Sequence, residues 1–126
     1  RIGNSCRIKP GLRVKFPWRL QVGNSCWLAE DAWIDNIAHV QIGDRVCVSQ
    51  CSYLCTGNHN FRSPGFDLLA APIHIESDVW IAASSVLAPG TVVCAGAVVS
   101  LGAVVSGEVP AGAIVRGNPA LVVGHR

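Results

Sequence analysis

The sequence predicts an all-β fold, a parallel β-helix, from three observations. An aliphatic residue returns every six positions, a small residue follows four places after most of them, and glycine recurs just after the aliphatic. In steps of six, Ile2, Ile8, Val14 and Leu20 form one run, and Val22, Leu28, Ile34 and Val40 a second. Ile42, Val48 and Leu54 form a third, and Ile75, Ile81, Leu87, Val93, Val99 and Val105 a fourth. Two-residue insertions separate the first three runs. A period of six is neither the 3.6 of a helix nor the 2 of an ordinary strand. It is the signature of short strands joined by tight turns, three to a triangular coil, with the aliphatic pointing inward.

Small residues are expected at the corners of so narrow a prism: Cys6, Cys26, Ala32, Ala38, Val46, Ser52, Val79, Ser85, Thr91, Ala97, Ala103 and Val109. Leu12 and Trp18 break this rule, so the first coil is expected to be less regular, as terminal repeats often are. Gly3, Gly23 and Gly43 mark turns that need unusual backbone angles or close approach. Cys6 and Cys26 read as small hydrophobes filling corners, and Cys47, Cys51, Cys55 and Cys94 need no redox role. The C-terminal "EVPAGAIVRGNPALVVGHR" holds too many Gly and Pro for a helix. One stretch, "TGNHNFRSPGFDLLAAP" at 56–72, abandons the rhythm and is expected to protrude as a loop.

A chain of 126 residues suits one domain, here 1–126. Half of it is hydrophobic, 14% is charged, and the net charge is +2. That excludes a strongly basic nucleic-acid binder while leaving room for a local basic patch. No apolar run reaches the roughly 18–20 residues of a membrane span, and residues 1–20 lack the core of a signal peptide. A soluble, cytoplasmic protein is expected. No CxxC pair or histidine cluster suggests a metal site, so none is expected.

The segments "IGNSCRI", "IGDRVCV", "VWIAASSVLAPGTVV" and "VPAGAIVRGNPALVV" resemble the hexapeptide-repeat acyltransferases over essentially the whole chain. "PWRLQVGNSCWLAEDAWIDN", "SQCSYLCTGNHNF" and "RGNPA" are most similar to the colanic-acid-type O-acetyltransferases of exopolysaccharide assembly. The resemblance implies a left-handed β-helix and a homotrimer with acetyl-CoA lying between subunits. The hand comes from the resemblance alone, because backbone sterics favour right-handed crossovers. Relatives usually carry residues before the first repeat, so either a minimal version or a fragment is expected.

The resemblance makes His59, in "TGNH", the general base. A sugar hydroxyl is a poor nucleophile and a thioester is already activated, so the chemistry lacks a proton acceptor and an oxyanion donor. Histidine suits the first task near neutral pH. With no Ser-His-Asp or Cys-His arrangement evident, direct transfer is expected. Asp35 and Asn36, in "WIDN", either line the acceptor pocket or close a turn, and Asp35 is a further candidate to orient His59. Asn58 and Asn60 flank the base and either shape the pocket or are loop residues. By the same resemblance Trp80 contacts the pantetheine arm, against a packing role, and Ala83, Ala88 and Ala103 present amides along its channel. Arg116, in "RGNPA", pairs with a CoA phosphate or is a solvated arginine.

Three departures stand out: Ala82 where many relatives have glycine, and Gly107 with Glu108 where many have a cation. Rival readings are an antibiotic-inactivating acetyltransferase, a non-catalytic scaffold, and a γ-type carbonic anhydrase. The last needs three convergent histidines. The committed expectation is an acetyl-CoA-dependent O-acetyltransferase acting on a sugar or glycan, without nucleic acid or membrane span.

Overall fold

A computed structural model describes all 126 residues. Short parallel strands stack into a triangular prism whose three faces follow one another in sequence. The first face runs Leu20–Val22, Val40–Ile42, Ile73–Ile75, Val92–Val93 and Glu108–Val109. The second runs Arg7–Ile8, Trp27–Leu28, Cys47–Val48, Trp80–Ile81, Val98–Val99 and Ala113–Gly117, closed by antiparallel Ala120–His125. The third runs Arg13–Val14, Trp33–Asp35, Tyr53–Cys55, Val86–Leu87 and Val104–Val105. A single 3₁₀ turn, Pro17–Arg19, is the only helical element, and no helix is long and apolar enough to cross a membrane.

The six-residue columns are the core. Leu28 stacks on Val48, and Trp80–Ile81 on both Cys47–Val48 and Val98–Val99, in strict register. From Leu20 to Val105 every aliphatic of the four runs is buried, while Ile2 and Ile8 are half-exposed in the first coil. The two-residue insertions prove to lengthen the first face, where Leu20 and Val22, then Val40 and Ile42, both point inward.

Two of the small-residue assignments change. Val109 occupies a strand, pairing with Val93, and the corner passes to Ala113, because the chain takes a shorter path between the third and first faces there. Ala38 is only half-buried, since this corner is filled by Asn36 and Thr56 instead.

Close approach, rather than backbone angle, explains the repeated glycines. A Cβ on Gly23 would stand 2.6 Å from the carbonyl oxygen of Gly43 in the next coil. Beside this glycine column each coil caps the one before it. The Asn4 N–H donates to Asn24 Oδ1 and the Asn24 N–H to Asp44 Oδ1, both at 2.8 Å. Ser77 Oγ accepts from the Asp44 N–H in turn. All six cysteines are free thiols.

The irregular stretch is an ordered antiparallel hairpin. Gly57–His59 pairs with Leu68–Ala70, and the Ala71 N–H donates to the Thr56 carbonyl at the base. It leaves at the corner between the third and first faces, where the Pro17–Arg19 turn also sits two coils earlier.

Candidate active site

The hairpin holds His59 in a defined pose. Its ring stacks on Phe66, centroids 4.3 Å apart and planes inclined by 15°. Its Nδ1 lies 3.1 Å from the Phe66 carbonyl oxygen. A carbonyl only accepts, so this contact places the proton of the neutral ring on Nδ1 and leaves the Nε2 lone pair free. Phe66 holds this pose at φ +49°, a left-handed conformation that is costly for a bulky residue and concentrates at functional sites. Sequence reasoning missed Phe66, and the only available signal was the turn-forming "SPGFD" around it. Asn58 Oδ1 accepts from the His59 N–H at 2.8 Å, and the Asn60 N–H donates to the Asp67 carbonyl at 2.8 Å. Both asparagines are exposed beside the base.

Asp35 faces outward on the third face, its side chain 14% exposed. Its Oδ2 accepts from the Tyr53 hydroxyl at 2.9 Å, while its Oδ1 is buried, without a hydrogen bond, 3.8 Å from Lys15 Nζ. Burial, then the neighbouring Cys55 and Asp35, push the Tyr53 hydroxyl well above the ordinary tyrosine range. Asn36 is different. It is fully buried, its Nδ2 donating to the Phe16 carbonyl at 2.7 Å and its Oδ1 accepting from the Phe16 N–H at 2.8 Å. The amide copies a strand partner for the coil below, so the turn reading of Asn36 replaces the acceptor-pocket one.

A second cluster stands at the corner between the second and third faces. Trp80, Ala82, Ala83, Ser100 and Leu101 line a cavity of about 300 Å³. Trp80 is half-exposed there, with its indole N–H on Ser49 Oγ at 2.9 Å. The N–H of Ala83 and that of Leu101 make no hydrogen bond within the chain, so both are free donors. Arg116 follows Val115 one coil beyond Ser100, on the same face.

Ala88 and Ala103 do not join them. The Ala88 N–H donates to the Val105 carbonyl at 2.9 Å, at another corner, and the Ala103 N–H to the Ser100 carbonyl at 3.0 Å. Their amides are used inside the stack, and Ala103 is fully buried. The methyl of Ala82 lines the cavity, whereas Glu108 stands on the first face, away from it. Within one chain the base and this cavity lie at opposite edges of the third face, so the chain alone does not bring them together.

No protein-family model matches the chain. An Escherichia coli (strain K12) protein named for acetyl transfer in colanic acid biosynthesis, WcaF, is 36% identical over 126 residues, covering 100% of this chain and 69% of its own length. The chain belongs to the hexapeptide-repeat acetyltransferases. Nodulation protein L of Rhizobium meliloti (strain 1021) is 34% identical over 98% of the chain and 69% of its own length. A hexapeptide-repeat acetyltransferase of Vibrio cholerae, solved in complex with acetyl-CoA, superposes with a TM-score of 0.94 at 26% identity, covering 98% of this chain and 69% of that one. Superposition at that level requires the same hand of coil, so the prism has the hand of its family. The protein is an acyltransferase, and the scaffold reading falls with that membership.

Proposed function

We propose that this acetyltransferase moves the acetyl group of acetyl-CoA directly to a hydroxyl of a sugar or glycan, with His59 as general base. One observation carries the reading: the Phe66 carbonyl holds Nδ1–H and leaves Nε2 free on an exposed hairpin. The acceptor hydroxyl gives its proton to Nε2 while its oxygen attacks the thioester carbonyl. The carbon–sulfur bond then breaks, and the departing thiolate takes the proton back from the imidazolium. The free N–H groups of Ala83 and Leu101 suit the charge that develops on the carbonyl oxygen. Trp80 flanks the pantetheine arm, Arg116 meets a phosphate of CoA, and Asp35, Asn58 and Asn60 contact the acceptor.

Because base and cavity sit at opposite edges of one face, the working site needs the hairpin of another copy. A homotrimer with three intersubunit sites meets that need, acting in the cytoplasm where acetyl-CoA is at hand. The likeness to the acetyl-CoA complex from Vibrio cholerae supports the co-substrate, and the likeness to WcaF supports a glycan acceptor. Thermal melts with and without acetyl-CoA provide the test. A ligand bound only to the folded state at about 100 times its dissociation constant adds roughly 2.7 kcal/mol. A shift retained in His59→Ala, whose acetyl transfer is lost, supports the reading. No shift from a folded trimer sinks it.

A further inference from the structure

Six of the ten cations of the chain fall within its first 19 residues: Arg1, Arg7, Lys9, Arg13, Lys15 and Arg19. No acidic residue precedes Glu30. The small net charge of the whole chain therefore hides a strongly positive first coil, and that coil also carries an unusual tryptophan. Trp27 and Trp33 each have a cation over the ring, and Trp80 donates its indole N–H to Ser49. Trp18 has neither a cation over its ring nor a partner for its N–H. It is 72% exposed, propped against Phe16 at the tip of the Pro17–Arg19 turn. A large apolar ring with a free donor at such exposure signals a contact surface.

Trp18 is one wall of a cavity of about 210 Å³ completed by Arg1, Leu20, Gln21 and His39. That is room for one sugar ring and too little for a drug-sized ligand. From it, Gln21, Gln41 and His74 stand side by side on the outside of the first face, in strand register and exposed. Their side chains make no hydrogen bonds within the chain. The other two faces present Trp27, Cys47 and Trp80, or Trp33, Tyr53 and Val86, at the equivalent positions. The first face alone offers a row of free amide and imidazole groups. This row begins beside Trp18 and passes below the corner from which the His59 hairpin leaves.

We infer that the cavity of Trp18, Arg1, Gln21 and His39 is a remote subsite for an acidic sugar unit, and that the acceptor is an acidic oligosaccharide laid along the first face. The inference rests on the glycan-acetyltransferase reading and names its substrate class. The aromatic ring supplies a stacking platform, the amides and imidazoles meet hydroxyls, and the surrounding cations select a carboxylate-bearing chain. Coils are about 4.8 Å apart, so the cavity lies about 10 Å along the stack from the base of the hairpin. A single sugar does not span that distance and an oligosaccharide does.

The test uses hexagalacturonate, maltohexaose as a neutral chain of the same length, and phosphatidylglycerol vesicles, with the acetyl-CoA melt shift measured on the same sample. Hexagalacturonate is expected to bind at low salt and to weaken as salt is raised. Maltohexaose is expected to bind at least about tenfold more weakly, and Trp18→Ala to lose about tenfold for hexagalacturonate. Absence of hexagalacturonate binding in protein that retains its acetyl-CoA shift overturns this inference and leaves the acetyltransferase reading standing. Loss of the acetyl-CoA shift strikes that reading instead. Equal binding of maltohexaose removes the acidic selectivity. Vesicle binding abolished by Trp18→Ala assigns the surface to a membrane, and an altered oligomeric state with unchanged sugar binding assigns Trp18 to contact between copies. Either result overturns the inference.

Discussion

The coil stack and the hairpin at 57–70 follow opposite rules. In the stack each strand lies parallel and in register with its neighbours, and one side chain in two is buried against the same column. The hairpin is antiparallel, and none of its residues is buried. Leu54 at the end of the third-face strand is completely enclosed, whereas His59, five positions later, is open to solvent. A stack made by repetition presents flat faces. The segment that escapes the repeat supplies the reach and the base, and the core does not depend on it.

Substitutions sharpen this contrast. His59→Ala should lower acetyl transfer by about 10²–10⁴-fold, read as kcat/KM, with the unfolding midpoint essentially unmoved. A large fall in stability would tie the hairpin to the core and break the comparison. Leu54→Ala should do the reverse, costing about 2–5 kcal/mol in denaturant unfolding, because it opens a void between Ile34 and Leu87. Gly23→Ala should cost about 1–3 kcal/mol, since its methyl meets backbone rather than a yielding side chain.

The smallest effect is one of pH. Tyr53 is the single tyrosine, so the ultraviolet absorbance of phenolate reports it alone. Its hydroxyl is held protonated above the ordinary value of about 10. The folded state then binds a proton that the unfolded chain has released. The resulting stabilisation is complete below about pH 10 and is lost as pH rises through the folded value. Folded protein should show little phenolate at pH values where the denatured chain is already ionised. Asp35→Asn should draw the titration downward, and a normal titration in the folded protein would contradict the buried Tyr53–Asp35 contact.

Much of the stack was legible because repetition multiplies a weak signal: Ile34, Leu54 and Leu87 say little singly and a great deal at a fixed spacing. His59 was legible through the likeness of "TGNH" to a family segment, and only as an expectation. The rest depends on partners that spacing does not specify. Asn36 looks like any polar turn residue until Phe16, a coil below, is seen to take both ends of its amide. Ala83, Ala88 and Ala103 are the same residue at similar turns, and only the ladder decides that Ala83 keeps its N–H free. The left-handed Phe66 carries no sequence mark, since such residues are usually glycine or asparagine.

The column of Gly23 and Gly43, with Asn24 capped by Asp44 and Asp44 by Ser77, makes the coil a unit of inheritance as well as of structure. Each coil presents to the next the same surface that it received, so a whole coil can be duplicated or deleted without orphaning a backbone donor. Such an event changes the separation between the Trp18 cavity and the hairpin by one coil spacing, about 4.8 Å. A lineage of this architecture can thus alter its reach along a polymer in discrete steps while the residues around the base stay as they are.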